Sequence, residues 1–418
     1  MHQVYISNIK INKVRHLTGI EIPLSDTRVK HLILTGKNGS GKTSLLDALA
    51  NFLNAITTTK EPYHSIKYLA MDENNLKHAL ETNASSRDIE EINARIQSYK
   101  RNIDNATHGI WLNTEPAPEE LKTKFENGEF VVAYYKAERA FEAIIPDTVQ
   151  KVELKENYKI GDIPRKDFVK YLLDLKVMEA MSIAGKKAEK AKEIQIWFVE
   201  LEKLLKRILE DETLVLDFDE ETYKFRILVE GREPFDFNTL SSGYSAVMDI
   251  VMDIIVRMQK QVGRVFEFKM PGIVLIDEID THLHLELQKN ILDLLTTIFP
   301  NVQFIVSTHS PFVLNSLENV VIYDMENHTL VEDGLSDVPY SGIVEGYFKA
   351  DELSNTLKKK FERYKTIITQ DVLSDNDLEE IARLTLYLDE IPDYLALPFT
   401  TEYQRLKLEF ENRGDIEW

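Results

Sequence analysis

Eight consecutive residues, Gly36-Lys37-Asn38-Gly39-Ser40-Gly41-Lys42-Thr43, constrain this chain more than any other stretch. They fit the pattern G-x-x-x-x-G-K-[ST] in full. Glycines let the backbone wrap tightly enough for successive N–H groups to face one anion. A helix beginning near Lys42 adds the positive end of its dipole. The flanks agree with this reading: His31–Thr35 is an apolar run that stops at Gly36, as a buried parallel strand would, and Ser44–Ala55 carries leucines and alanines at helical spacing. Strand, glycine loop and helix predict a polyphosphate cradle built from Gly36, Asn38, Gly39, Gly41, Lys42, Thr43 and Ser44. Lys42 is expected to reach the β- and γ-phosphates and the Thr43 hydroxyl to sit on Mg²⁺.

Two later strands end in groups suited to the same chemistry. Ile273-Val274-Leu275-Ile276 is wholly aliphatic and runs into Asp277 and Glu278. Four buried aliphatics place that strand in a sheet centre, so the two carboxylates emerge at its C-terminal edge, where open α/β sheets bind ligands. Asp277 is expected to support Mg²⁺, and Glu278 to polarise an attacking water. One helix further on, Phe304-Ile305-Val306-Ser307-Thr308 brings His309 to the corresponding edge, within reach of a γ-phosphate. Leu240-Ser241-Ser242-Gly243-Tyr244 opens a helix whose start can approach an anion. By itself this last motif is no more than a helix start.

Apolar runs alternate with helical patterns from residue 1 to about 335, the signature of an α/β fold with a mixed central sheet. The core is expected to be discontinuous, from 1–55 and 212–335. A largely helical insertion at 56–211 would contain one core strand near 130–135, and a charged helical region at 336–418 would come last. Ile194, Trp197, Phe198, Leu201, Leu204, Leu205 and Ile208 mark the strongest amphipathic stripe.

Charge and composition narrow the partners. The 418 residues carry 70 acidic against 50 basic side chains, a net charge of −20, which disfavours broad contact with a nucleic-acid polyanion. Direct nucleic-acid binding stays open only for a local cleft. The basic runs Lys186, Lys187, Lys190, Lys192 and Lys358–Lys360 read as solvated helix faces. There is no cysteine, hence no disulfide, thiolate metal site or cysteine nucleophile. No stretch approaches the roughly 18 apolar residues of a membrane helix, and the N-terminus lacks the apolar segment of a signal peptide. A cytoplasmic protein without a membrane partner is expected.

The order of motifs, glycine loop, insertion, Ser-Gly signature, Asp-Glu strand and histidine strand, resembles the ABC-type ATPase heads of the SMC, RecF and OLD families. The resemblance implies ATP and Mg²⁺ as ligands and a head-to-tail dimer, extending in some relatives to a higher oligomer. In it Lys42 and Thr43 hold phosphate and magnesium, Asp277 supports Mg²⁺, Glu278 is the catalytic carboxylate and His309 the switch histidine. Ser241, Ser242 and Gly243 act in trans on the partner's γ-phosphate. Departures are visible. Ser242 and Tyr244 stand where transporters carry glycine and glutamine, and His284 occupies the aspartate position of the loop after the Asp-Glu strand. The usual glutamine after the strand near 130–135 is missing. Lys136-Ala137-Glu138-Arg139 stands there instead, similar to OLD-like ATPases, with Glu138 or Arg139 as a possible γ-phosphate sensor or an ordinary surface ion pair.

No long heptad run supports coiled-coil arms. The acidic cluster Asp371, Asp375, Asp377, Glu379 and Glu380 reads as a helix start rather than a nuclease centre. An ATP engine without a visible effector resembles the stand-alone ATPase subunits of bacterial anti-phage systems such as PARIS, Septu and some retrons. That implies slow ATP hydrolysis and control of a separately encoded toxic effector, a nuclease, answering to a phage trigger protein. A RecF-like DNA clamp for repair or chromosome maintenance is the alternative.

Overall fold

The computed structural model describes residues 3–58, 61–82, 84–146, 148–262, 266, 268–338, 342–343, 355–370, 373–389 and 397–411. The chain divides into two compact units, Met1–Asp337 and Val338–Trp418.

The first unit is built on a six-stranded sheet and a three-stranded one. Its strands are β1 (Tyr5–Val14), β2 (Leu17–Pro23), β3 (His31–Thr35), β4 (Ile110–Glu115), β5 (Val131–Tyr135), β6 (Val215–Asp219), β7 (Lys224–Leu228), β8 (Gly272–Ile276), β9 (Val302–Ser307), β10 (Val320–Asp324) and β11 (Thr329–Val331). The larger sheet has the order β11-β10-β3-β9-β8-β5. Its pairs are parallel except β10 with β11, which gives the α/β class and the mixed sheet expected from sequence. The aliphatic runs at β3, β8 and β9 are buried at every position, as strands covered on both faces must be.

Helix α1 (Lys42–Thr58) leaves the glycine loop and buries Leu45, Leu46, Leu49, Phe52, Leu53 and Ile56. These side chains join one continuous core with β1, β3, β4 and the strands of the large sheet. The two sheets are also tied by a single amide. Gln303 is fully buried on β9. Its Nε2 donates to the carbonyls of Ile6 and Lys30, and its Oε1 accepts from the Ile6 N–H at 2.7 Å. All three bonds are needed, since an unpaired buried amide is costly.

The stretch 56–211 is less uniformly helical than its composition suggests. It holds α2 (Glu61–Glu81), α3 (Ser86–Thr107), α4 (Pro118–Glu126), α5 (Phe168–Ala184) and α6 (Ala188–Leu209). Yet β4 interrupts it and pairs with β1 in antiparallel register, Ile9 opposite Leu112. The partner of β4 lies some hundred residues away, so no local pattern announces it; Ile110 and Leu112 are buried, and Trp111 meets Phe52 edge to face at 5.7 Å. After β5, residues 136–163 form neither helix nor strand among the described positions. The remaining helices are α7 (Ser242–Val262), α8 (Leu285–Ile298) and the short α9 (Pro311–Leu314).

His31 offers a test of this core. Its Nδ1 accepts the Phe304 N–H at 3.1 Å, and burial pushes its pKa down to about 4. An unfolded histidine titrates near 6.5. Between those values the unfolded chain takes up a proton that the fold refuses, so stability is lost as pH falls from about 6.5 to about 4. The loss should total about 3 kcal/mol. Urea midpoints measured across this window should fall more steeply for the wild type than for His31→Asn; equal slopes would refute the assignment.

The second unit holds α10 (Asn355–Ile368), α11 (Asp375–Asp389) and α12 (Leu397–Glu411) around its own core of Phe361, Tyr364, Ile381, Leu384, Tyr403 and Leu406. The lysine run is not wholly solvated: Lys360 Nζ lies 3.1 Å from the Tyr387 ring centroid, over its face. In the acidic cluster, Asp377 accepts from the Ser374 N–H and hydroxyl in a helix-start turn, while Asp371 lies outside the described residues. Among the described residues, no helix is long and apolar enough to cross a membrane.

Candidate functional site

The glycine loop joins β3 to α1, and its three glycines all have φ in the left-handed half: +123° at Gly36, +83° at Gly39 and +104° at Gly41. Space is scarce as well. A Cβ on Gly41 would lie 2.9 Å from a Leu17 methyl, and one on Gly36 would lie 3.1 Å from the Glu326 nitrogen. Lys42 is buried at the head of α1, and its ammonium donates to the carbonyls of Gly36 at 2.7 Å and Lys37 at 3.2 Å. Burial lowers its pKa, and Glu278, Asp277, Asp280 and Asp324 oppose that shift. Asn38, Gly39 and Thr43 are exposed, and Ser44 is half-buried on the first turn.

Register brings the acidic strand end to the same edge. Ile276 of β8 pairs with Val306 of β9, so the next residues, Asp277 and Ser307, are neighbours. The Ser307 hydroxyl donates to Asp277 Oδ1 at 2.6 Å and accepts the Glu278 N–H at 2.8 Å. Asp277 is buried, and among the described residues its Oδ2 accepts no hydrogen bond. Glu278 sits in the left-handed region, φ +46°, which a side chain with a Cβ seldom occupies. Its Oε2 accepts from the Thr281 hydroxyl at 3.2 Å. Asp280 accepts from Thr308 Oγ1 at 2.5 Å. Ser307, Thr308 and Asp280 were not singled out from sequence. The pairing of two apolar strands that both end in polar residues is the signal that could have found them.

His309 comes directly after Thr308, and its Nε2 is buried with no hydrogen-bond partner among the described residues. Burial lowers its pKa, and the Lys42 charge lowers it further, against the pull of Asp280, Glu278 and Asp277. The imidazole is thereby kept neutral, with one nitrogen unsatisfied in a pocket of charge.

Arg139 is no surface ion pair. It is 8% exposed, and its Nη atoms donate to backbone carbonyls: Nη1 to Lys136 at 3.0 Å and Asp277 at 2.6 Å, Nη2 to Glu278 at 2.9 Å and Ile279 at 3.3 Å. Its neighbour Glu138 is exposed and makes no hydrogen bond or ion pair among the described residues.

The Ser-Gly motif lies where α7 begins. Ser241 and Ser242 are exposed, and the Ser241 carbonyl accepts the Ser245 N–H at 2.8 Å. Gly243 is buried against the turn after β8, where a Cβ would approach the His282 carbonyl oxygen to 2.9 Å. The two departures noted separately in the sequence meet here: Tyr244 and His284 pack edge to face at 5.9 Å, and His284 Nδ1 caps α8 by accepting the Leu287 N–H. Gly243→Ala is expected to lower the unfolding free energy by about 1 kcal/mol, although alanine is intrinsically the better helix former by about as much. Rigid backbone, not a flexible side chain, occupies the space. A urea melt that shows equal or greater stability would refute the contact.

Beside the glycine loop a cleft of about 370 Å³ is bordered by His16, Thr18, Ile20, Asn38, Met325 and His328. His16 Nε2 lies 3.2 Å from the Ser40 carbonyl oxygen. The Thr43 hydroxyl and Asp277 Oδ2 are hard oxygen donors of the type Mg²⁺ takes, one or two at a time, together with substrate phosphates.

The family described as "AAA domain, putative AbiEii toxin, Type IV TA system" matches residues 32–315, more than half of the chain and the whole span from the glycine loop to His309. "Retron Ec83 probable ATPase" of Escherichia coli is 31% identical over 179 residues, which are 42% of this chain and 32% of that protein. "Retron Vc95 probable ATPase" of Vibrio cholerae serotype O1 biovar El Tor is 23% identical over 376 residues, covering 75% of this chain and 72% of the relative. "Septu protein PtuA" of Bacillus mycoides (strain KBAB4) is 30% identical over 175 residues, 40% of this chain and 24% of its own length. The matched part thus spans about a third of the E. coli relative and a quarter of PtuA. Among solved structures, an SMC head bound to the C-winged helix domain of ScpA aligns at TM-score 0.40 and 16% identity, over 80% of this chain and all of that one.

Proposed function

Since this chain belongs to the AAA-domain family described as putative AbiEii toxin, type IV TA system, we propose that it binds and slowly hydrolyses ATP with Mg²⁺ and uses the resulting closure to control a separately encoded effector in anti-phage defence. The observation that carries the catalytic part is the buried Lys42 ammonium, held on the loop carbonyls of Gly36 and Lys37 and under the charges of Glu278, Asp277, Asp280 and Asp324. An ammonium held in that way is positioned for a polyphosphate to displace its loop carbonyls.

In this reading the loop amides and Lys42 bind the phosphates, and the nucleoside lies in the cleft by His16 and His328. Thr43 and Asp277 would hold Mg²⁺, which when bound neutralises phosphate charge. Glu278 accepts a hydrogen bond from the attacking water and polarises it. His309, neutral and in the tautomer with Nε2–H, donates a hydrogen bond from that nitrogen to the γ-phosphate. Positioning and charge neutralisation are what phosphoryl transfer asks of a protein. The exposed Ser241 and Ser242 and the N-terminus of α7 complete the site of a second copy, head to tail.

The defence reading is supported by the retron and Septu proteins among the relatives. We assign effector contact to residues 336–418 or to the helices of 56–211. A nuclease is the expected effector, and a phage protein the trigger. Mass photometry of tagged protein drawn from its native operon, wild type beside Glu278→Gln, with and without ATP, tests this. A second chain in an ATP-dependent complex supports effector control. A bare ATP-induced dimer that binds DNA in a salt-sensitive way would replace it with the RecF-like clamp, for which a 28% match over 128 residues to RecF of Rickettsia prowazekii (strain Madrid E) speaks.

A further inference from the structure

We propose that Arg139 is a positioning residue that sets the direction of the Glu278 carboxylate and links it to the Ser-Gly motif of the same subunit. The inference rests on the ATPase reading above and assigns Arg139 a task other than sensing phosphate. Arginine has five N–H donors. The four on Nη1 and Nη2 are matched by the carbonyls of Lys136, Asp277, Glu278 and Ile279. The fifth, on Nε, is buried and has no partner among the described residues. The four Nη donors are thus committed to backbone carbonyls rather than to a γ-phosphate.

Three of the four acceptors are consecutive and form the turn that carries Glu278. That turn includes a non-glycine residue at φ +46°, so it needs external support to persist. The support comes from every side. The Tyr135 carbonyl accepts the Asp277 N–H at 2.8 Å, Ser307 Oγ accepts the Glu278 N–H at 2.8 Å, and Ser307 accepts the Ile279 N–H at 2.9 Å through its carbonyl. Arg139 supplies the matching contacts to the carbonyls. A planar guanidinium presents its donors in a fixed fork that matches these carbonyls together, a geometry that the compact ammonium of a lysine does not reproduce.

Arg139 in turn is anchored through the next residues of the chain. The Phe141 N–H donates to Ser245 Oγ at 2.8 Å on the first turns of α7. Ala143 and the Asn238 side chain exchange two hydrogen bonds, at 2.9 and 3.0 Å, just before the Ser-Gly motif. Residues 139–143 therefore form a strap with the catalytic turn at one end and the motif loop and helix at the other. In a head-to-tail dimer the motif serves the partner's nucleotide. Seating of Ser241 and Gly243 on that nucleotide would pull on the strap and so on the subunit's own Glu278.

The test compares wild type with Arg139→Lys and Arg139→Gln in steady-state ATP hydrolysis, nucleotide binding and amide hydrogen exchange. Expected for both variants is a fall in kcat of about 10- to 100-fold, with KM and nucleotide affinity held within about two-fold. Exchange should quicken over residues 277–284 and stay unchanged over 36–44. Wild-type kcat in Arg139→Lys overturns the proposal. So does a raised KM at unchanged kcat, which would make Arg139 a substrate-binding group, and so does unaltered exchange. If the wild type hydrolyses no ATP, the ATPase reading fails separately, and the exchange comparison still decides whether Arg139 holds the turn. Should a variant lose its fold, the wild type alone remains informative: rapid exchange over 277–284 in the intact chain would overturn the proposal.

Discussion

Glu278→Gln is expected to lower ATP turnover about 10²- to 10⁴-fold, the range a positioned general base contributes, while leaving nucleotide binding and the fold intact. The backbone around the residue explains why the effect stays local. Its N–H is taken by Ser307 Oγ and its carbonyl by Arg139, neither of which involves the side chain. The side-chain contact from the Thr281 hydroxyl to Oε2 is available to a glutamine oxygen as well. Thermal stability should change by less than about 0.5 kcal/mol. The lost property is the ability to take a proton from water at the edge of the sheet. Steady-state turnover at saturating ATP, with binding measured separately, checks it. A variant that keeps more than about a tenth of wild-type turnover would move the base elsewhere in the site.

Lys42→Ala should produce the second large effect, and of the opposite kind: lost binding rather than lost turnover. Charge-assisted hydrogen bonds contribute about 1.5–3 kcal/mol, so affinity for ATP should drop about 10- to 100-fold. Without nucleotide the variant should melt close to wild type, because the ammonium it removes is buried and has its pKa lowered by that burial. The free protein loses the ammonium's hydrogen bonds to the loop carbonyls of Gly36 and Lys37 and its attraction to nearby carboxylates, and is relieved of the cost of burying the charge. At an ATP concentration 100 times the wild-type Kd, the wild type gains about 2.7 kcal/mol. A hundred-fold weaker variant would gain only about 0.4 kcal/mol at the same concentration. A thermal-shift series in ATP and Mg²⁺ reads the difference directly. An undiminished shift would show that the phosphates are held without Lys42.

The two substitutions divide the site in the way its residues were read from sequence, with one group for the cradle and another for the chemistry. Both were legible because each follows a short strand with an apolar centre. A run such as Ile273–Ile276 can only be a buried parallel strand, and the residues after it must emerge at the ligand edge. His309 was legible for the same reason. Arg139 was visible as a residue but not in its role. Its four acceptors are backbone carbonyls, three of them nearly 140 residues away, and a carbonyl leaves no trace in a sequence.

Other features escaped on the same ground. Strand β4 is defined by its pairing with β1 across about a hundred residues, and its six residues carry no turn signal that marks a hairpin. Ser307 became part of the site only when the β8–β9 register set it beside Asp277. Tyr244 and His284, each a departure from the pattern of related proteins, gained a common explanation once they were found packed together.

The sequence by itself determined the α/β class, the glycine loop between a strand and a helix, and the candidate groups at the sheet edge, because these depend on local periodicity and on residues adjacent in the chain. The tertiary structure alone decided how those groups are held: the left-handed turn at Glu278, the guanidinium beneath it, and the strap from that turn to Ser245 and Asn238. Local propensity acts between neighbours along the chain and can be read in order. Support for a strained turn comes from backbone atoms and distant partners, and those are chosen only when the strands pair and the core closes.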